Sequence, residues 1–160
     1  MTSCADLTRR RVLVAGAALG AGLVLGRAQA QTSSASAQPD SRESDRIAAD
    51  FLGEATALPE GLALDLPALG DNPAAVPVRV HVTEAITDEL WCEELIVLAE
   101  RNPMPLACRF RFTAASGSAD VAVRLRLIET MHVRALARMS DGRILEARQQ
   151  ITVAAGGCGL

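Results

Sequence analysis

The sequence predicts an all-β protein: an immunoglobulin-like antiparallel β-sandwich with a short N-terminal helix and a flexible C-terminal tail. Three observations carry that expectation. Apolar residues alternate with period two through most of the chain after Pro59, turn residues separate the alternating runs, and no long helical pattern intervenes.

Residues 1–30 hold Thr8-Arg9-Arg10-Arg11-Val12-Leu13, an apolar glycine-containing run from Val12 to Leu25, and Ala28-Gln29-Ala30 as a small-residue cleavage site. That is the anatomy of a twin-arginine signal peptide, which places the mature protein in the periplasm. The apolar run is shorter than the roughly 20 residues a spanning helix needs, so a permanent anchor is the poorer reading. Residues 31–44 are rich in Ser, Ala and Gln without apolar periodicity and read as a disordered leader. A domain is expected over residues 45–153. It opens with a helix from Asp45 to about Ala57, capped by Ser44, whose Ile47, Phe51 and Leu52 share one face and pack against a sheet edge.

The alternation begins with Leu62, Leu64 and Leu66 and continues with Val76, Val78, Val80 and Val82. Leu106, Cys108, Phe110 and Phe112 oppose Arg109 and Arg111, and Val121, Val123, Leu125 and Leu127 oppose Arg124 and Arg126. Met131, Val133, Ala135, Ala137 and Met139 alternate with His132, Arg134 and Arg138, and a last strand runs from about Arg143 to Val153. Turns are expected at Asp71-Asn72-Pro73, Asn102-Pro103, Ser116-Gly117 and Asp141-Gly142, the last a strong hairpin signal. The run Leu95-Ile96-Val97-Leu98-Ala99 is apolar at every position, so both of its faces must be covered, as in a central strand or against a second subunit.

Residues 154–160 form the expected mobile tail: four residues of minimal side chain, Ala154 to Gly157, lead to Cys158, two places from the carboxylate. Ala154 to Cys158 extends roughly 15 Å at ~3.3 Å per residue, long enough to enter another protein's cleft. A nucleophilic enzyme instead holds its cysteine rigidly beside a base. An unperturbed thiol near pKa ~8.5 is only a few per cent thiolate at neutral pH, so activation falls to whichever partner receives the tail. Signal cleavage removes Cys4 and leaves Cys92, Cys108 and Cys158, an odd number in an oxidising compartment.

The terminus Gly156-Gly157-Cys158-Gly159, with Asn72-Pro73-Ala74-Ala75-Val76-Pro77-Val78, Ala99-Glu100-Arg101-Asn102-Pro103-Met104-Pro105 and Met139-Ser140-Asp141-Gly142, resembles the SoxY family of sulfur carriers. The resemblance spans roughly Leu62 to the end. It implies a non-enzymatic carrier in periplasmic thiosulfate oxidation that binds sulfur intermediates on Cys158, with Gly156, Gly157 and Gly159 as the swinging arm. It implies no cofactor, a heterodimer with a SoxZ-like subunit, and docking of the tail into haem-containing SoxXA, SoxB and SoxCD-type enzymes. Thiosulfate is conjugated to the thiol, the terminal sulfonate leaves as sulfate, and the sulfane sulfur is oxidised or passed on. Leu160 departs from the Gly-Gly-Cys-Gly-Gly ending usual in that family and bears on which clefts the tail enters. The alternative is an immunoglobulin-like periplasmic binding or adhesion module whose terminal cysteine crosslinks it.

Composition excludes other classes. All sixteen basic residues are arginine; removing Arg9, Arg10, Arg11 and Arg27 with Asp6 leaves twelve against eighteen acidic, net about −6, which is no surface for nucleic acid. His81 and His132 sit on polar strand faces without ligand spacing, so no metal site is expected. Cys108 is expected in the core as a small apolar residue. A hairpin about Asn102-Pro103 sets Cys108 opposite residue 98, too far from Cys92 for a disulfide. Trp91 is expected to pack in the core or an interface, and the strand arginines to form a solvated surface.

Overall fold

The computed structural model describes residues 41–154. The period-two runs become strands of two sheets packed face to face. One sheet contains β5 (Cys92–Ala99) between β8 (Met131–Met139) and β6 (Leu106–Arg111), with β9 (Ile144–Val153) beyond β8. Its partner consists of β2 (Leu62–Asp65), β4 (Val76–Val82) and β7 (Asp120–Leu125), with β4 in the middle. The ladders within each are antiparallel. The exceptions are β1 (Ala57–Leu58) and β3 (Leu69–Gly70), which run parallel to the two ends of β9. Short segments of this kind occupy backbone groups that an open edge strand leaves exposed to other chains.

Between the sheets, Val76, Val78 and Val80 face Leu95, Val97, Ala99, Val133, Ala135 and Ala137, all essentially inaccessible to water. Small residues at the centre of β8 let the layers approach closely, which is how a chain with few aromatic residues fills a core with Val, Leu, Ile and Ala.

The apolar run 95–99 is covered twice. Leu95, Val97 and Ala99 enter the inter-sheet core, while Ile96 and Leu98 face outward beneath α1 (Ser41–Leu52) together with Leu136 and Ile144. The helix therefore lies on the sheet's outer face, not at its edge, and its Ala48 and Phe51 close the second cluster. It also begins earlier than expected: Ser44 is buried inside it and does not cap it. It stops at Leu52 because Gly53 turns left-handed (φ 59°), its N–H reaching Ala49 O at 2.9 Å.

A second departure lies in β6. Val97 pairs with Cys108 and Leu98 with Leu106, so Ala107 is an extra residue. The bulge reverses the side-chain parity: Cys108, Phe110 and Phe112 pack on the inter-sheet core, whereas Leu106 packs on the helix side. It also moves Cys108 from opposite residue 98 to opposite Val97, still far along β5 from Cys92, and both thiols are free.

Many of the strand arginines are paired rather than simply solvated, Arg124 and Arg126 being exceptions among the described residues. Glu94 gathers Arg109, Arg111 and Arg138; Arg79 makes a two-pronged contact with Asp120; Arg143 does so with Glu84; and Arg134 meets Glu146. Arg138 also stacks on Phe51, 4.5 Å from the ring centre, tying helix to sheet.

Candidate functional site: the end of the sandwich around Ala154

Strands β5 and β9 finish, and β8 begins, at one end of the molecule. There β9 is held to its last described residues: the Val153 N–H donates to Thr130 Oγ1 at 3.0 Å, Thr152 N–H to Ala68 O at 3.0 Å, and Ala154 N–H to Gly70 O at 3.3 Å. Ala154, the last described residue and the expected root of the tail, is thus a fixed point. Cys158, Gly156, Gly157 and Gly159 lie outside the described residues, as do the expected signal over residues 1–30 and residues 31–40 of the expected leader.

Two loops frame the root. In the first, Asn72 closes its own turn: its Oδ1 accepts from Ala74 N–H at 3.1 Å and its carbonyl from Ala75 N–H at 3.1 Å. Pro73 O then accepts from Leu127 N–H at 2.8 Å. In the second, the Asn102 amide clasps the neighbouring strand end, donating from Nδ2 to Arg126 O at 2.8 Å and accepting at Oδ1 from Ile128 N–H at 3.3 Å. Asn102→Ala removes both bonds and is expected to cost about 1–2 kcal/mol, read as a thermal midpoint several degrees lower.

Behind this loop Glu100 is almost wholly buried, at 3% exposure, and accepts from Arg148 Nε at 2.7 Å and Nη2 at 2.6 Å. Its N–H donates to His132 O at 3.1 Å. An isolated carboxylate could not be buried so deeply, and the two-pronged arginine is the compensation. Between the loops lies a groove of about 990 Å³ whose wall includes Asn72, Pro73, Arg101, Arg126, His132 and Ala154. Arg101 is neutralised by Glu129 at 2.5 Å, whereas the Arg126 guanidinium has no carboxylate partner among the described residues.

Of the segments that carry the sequence resemblance, 72–78 and 99–105 meet here. The third, 139–142, makes the β8–β9 hairpin turn at the opposite end, where Gly142 N–H donates to Met139 O at 3.0 Å and Asp141 engages Arg143. Trp91, half-buried, is tied to that turn through Ser140. His81 lies on β4 with Asp65 at 3.7 Å and does not join His132. Among the described residues no group of three His, Cys, Asp or Glu side chains could hold a metal, and no helix is long and apolar enough to cross a membrane. The groove, Arg126 and the Asn102 clasp escaped the sequence reading, although the segment around Asn102 had been singled out by resemblance.

The two described thiols are muted. Burial, opposed in part by a hydrogen bond to Glu94 O, pushes Cys92 up to about 11, and burial also raises Cys108. At pH ~7.5 a thiol at 11 is roughly 300-fold poorer in thiolate than an unperturbed one near ~8.5. Iodoacetamide on the native protein is therefore expected to label Cys158 at least 100-fold faster than Cys92, as peptide mapping after timed quenching would show.

A sequence model described as "Sulfur oxidation protein SoxY" matches residues 48–158, a span that ends on Cys158. A search of curated protein sequences gives no match. Among solved structures, the sulfur carrier protein SoxY from Chlorobium limicola f thiosulfatophilum superposes with a TM-score of 0.59 at 17% identity, covering 72% of this chain and 99% of that one. The superoxide reductase (neelaredoxin) of Ignicoccus hospitalis superposes with a TM-score of 0.51 at 21% identity, covering 59% and 80%. At these identities the structural likeness speaks for a shared sandwich only; the family rests on the sequence match, which takes in more than half of the chain including both loops that frame the tail root. This chain belongs to the SoxY family of sulfur oxidation proteins.

Proposed function

We propose that this protein is a covalent carrier of sulfur intermediates in thiosulfate oxidation, exported to the periplasm by a twin-arginine signal over residues 1–30 and working through the thiol of Cys158 on a tail of residues 154–160. The observation that carries the reading is the fixed tail root. The last ladder ends in a pinned residue, Ala154, and the family match continues from there through Gly156 and Gly157 to Cys158. A rigid anchor followed by slender residues is the construction an arm needs.

Loading joins the Cys158 sulfur to the sulfane sulfur of thiosulfate. The thiol loses its proton, two electrons leave one at a time through the haem iron of a SoxXA-type enzyme to its electron acceptor, and the product is a cysteine S-thiosulfonate. Water then cleaves the terminal sulfur–sulfur bond in a SoxB-type enzyme, releasing sulfate and a proton and leaving a cysteine persulfide for a SoxCD-type enzyme or another acceptor. Every step takes place in a partner's cleft, and the chain itself supplies attachment, reach and release. A SoxZ-like subunit completes the carrier.

Reconstitution tests this. With the partner enzymes and thiosulfate present, haem reduction and sulfate release are expected to require the protein, and to stop after one loading event per chain when the hydrolase is omitted. Equal turnover without the protein would leave the alternative, a binding module crosslinked through Cys158.

A further inference from the structure

We propose that the end of the sandwich around Ala154 is a docking collar, shared by the enzymes that act on the tail, in which Met104, Ile128 and Leu69 supply apolar contact and Arg126 a charged one. The inference rests on the carrier reading and specifies the surface that reading requires.

The first argument is reach. Only about 15 Å of chain separates Ala154 from Cys158 even when fully extended. An enzyme that encloses Cys158 in a cleft several ångströms deep must bring the rim of that cleft against whatever surrounds Ala154. Contact there follows from the length of the arm.

The second is composition. Among the described residues four large apolar side chains are exposed: Leu58 (38%), Leu69 (50%), Met104 (80%) and Ile128 (47%). Three of the four belong to this end. Leu69 pairs with Thr152 at the close of β9, Ile128 is held by Asn102, and Met104 stands on the same loop as that asparagine. Clustered exposed apolar groups mark interaction surfaces, whereas scattered ones do not.

The third is charge and rigidity. On a mature chain of net negative charge, Arg126 presents, at the edge of the groove, a guanidinium with no carboxylate partner among the described residues. The complement is an apolar cleft rim that carries an acidic residue. The loops are preformed by the Asn72 turn, the Asn102 clasp and Pro73, Pro103 and Pro105, so little is lost in ordering them on contact. The collar is also small. Contacts well below the ~1,200 Å² of stable complexes are weak and short-lived, as a carrier that visits several enzymes in turn requires. Because all of them reach one cysteine over one short arm, their visits exclude one another.

The test uses the mature carrier with its partner subunit, carrying Arg126→Glu, Met104→Asp or, at the opposite end, Leu58→Asp. Loading of Cys158 by the thiosulfate-conjugating haem enzyme is followed by intact mass, and alkylation of Cys158 by iodoacetamide is timed in parallel. Arg126→Glu and Met104→Asp are expected to slow enzymatic loading about tenfold each with alkylation unchanged, and Leu58→Asp to alter neither. Loading at the parental rate in both collar variants would overturn the proposal. Loss of the partner subunit from those variants on gel filtration would overturn it too, by assigning the face to that subunit. A parent protein that takes no adduct at all would remove the carrier reading and the collar with it.

Discussion

Cys158→Ser is expected to abolish sulfur loading and to leave the sandwich as stable as the parent. A serine hydroxyl forms no sulfur–sulfur bond, so the loss is complete, with no reduced rate remaining. Neither remaining thiol can substitute: Cys92 is 1% exposed with its thiol held near 11, and Cys108 is half-buried against the inter-sheet core with its thiol also raised. Stability is expected to hold because the hydrophobic clusters of the described residues are built from positions up to Val153, and the substitution exchanges a single atom. Substitutions of that kind stay within about 0.5 kcal/mol, so the thermal midpoint should hold to within a degree or two. A serine variant that still carried reducible sulfur would move the site to another residue.

Phe51→Ala produces the largest expected loss of stability. The ring is 5% exposed and fills the space between α1 and Ile96, Leu98, Leu136 and Ile144, while its upper face carries the Arg138 guanidinium. Truncating a buried Phe costs about 3–5 kcal/mol, which for a domain of this size lowers the midpoint by roughly 10–20 °C. The effect extends beyond the cavity. With its anchor gone the helix loosens, and the outer faces of Ile96 and Leu98 become an exposed apolar patch, so concentration-dependent association is expected below the midpoint. Phe51→Leu, which keeps most of the volume, should recover most of the loss.

The doubly apolar run at 95–99 shows how far the sequence could be read. That both faces of this strand are buried follows from its residues alone, but what covers the outer face does not. The helix does so, and its position depends on where α1 starts and on Gly53 ending it, two local features with weak signals: Ser44 resembles a cap and is instead an interior position. The bulge at Ala107 was equally silent. Leu106, Cys108, Phe110 and Phe112 alternate without interruption in sequence, and only the register against β5 shows that Leu106 faces the other way. Alternation reports period and cannot report an added residue, which is why the strands were legible and one parity was not.

The candidate site divides along the same line. The proposed arm is a reading of local sequence alone: a cysteine flanked by Gly156, Gly157 and Gly159 suggests a carrier without any tertiary context, and these residues lie outside the described ones. The groove at its root unites residues near 72, 101, 126, 132 and 154, a constellation that only the pairing of β8 with β9 and the Asn102 clasp bring together. Glu100 and Arg148, far apart in the chain, likewise read as ordinary surface charges until the fold joins them.

The central claim is that Cys158 carries sulfur covalently, and the most direct test is the intact mass of the mature protein from cells fed thiosulfate, recorded with and without reductant. Mass additions of sulfur or thiosulfonate that vanish with reductant, and map to Cys158 in the C-terminal peptide, are the predicted result; an unmodified monomer, or only a Cys158-linked dimer, under every condition would contradict it.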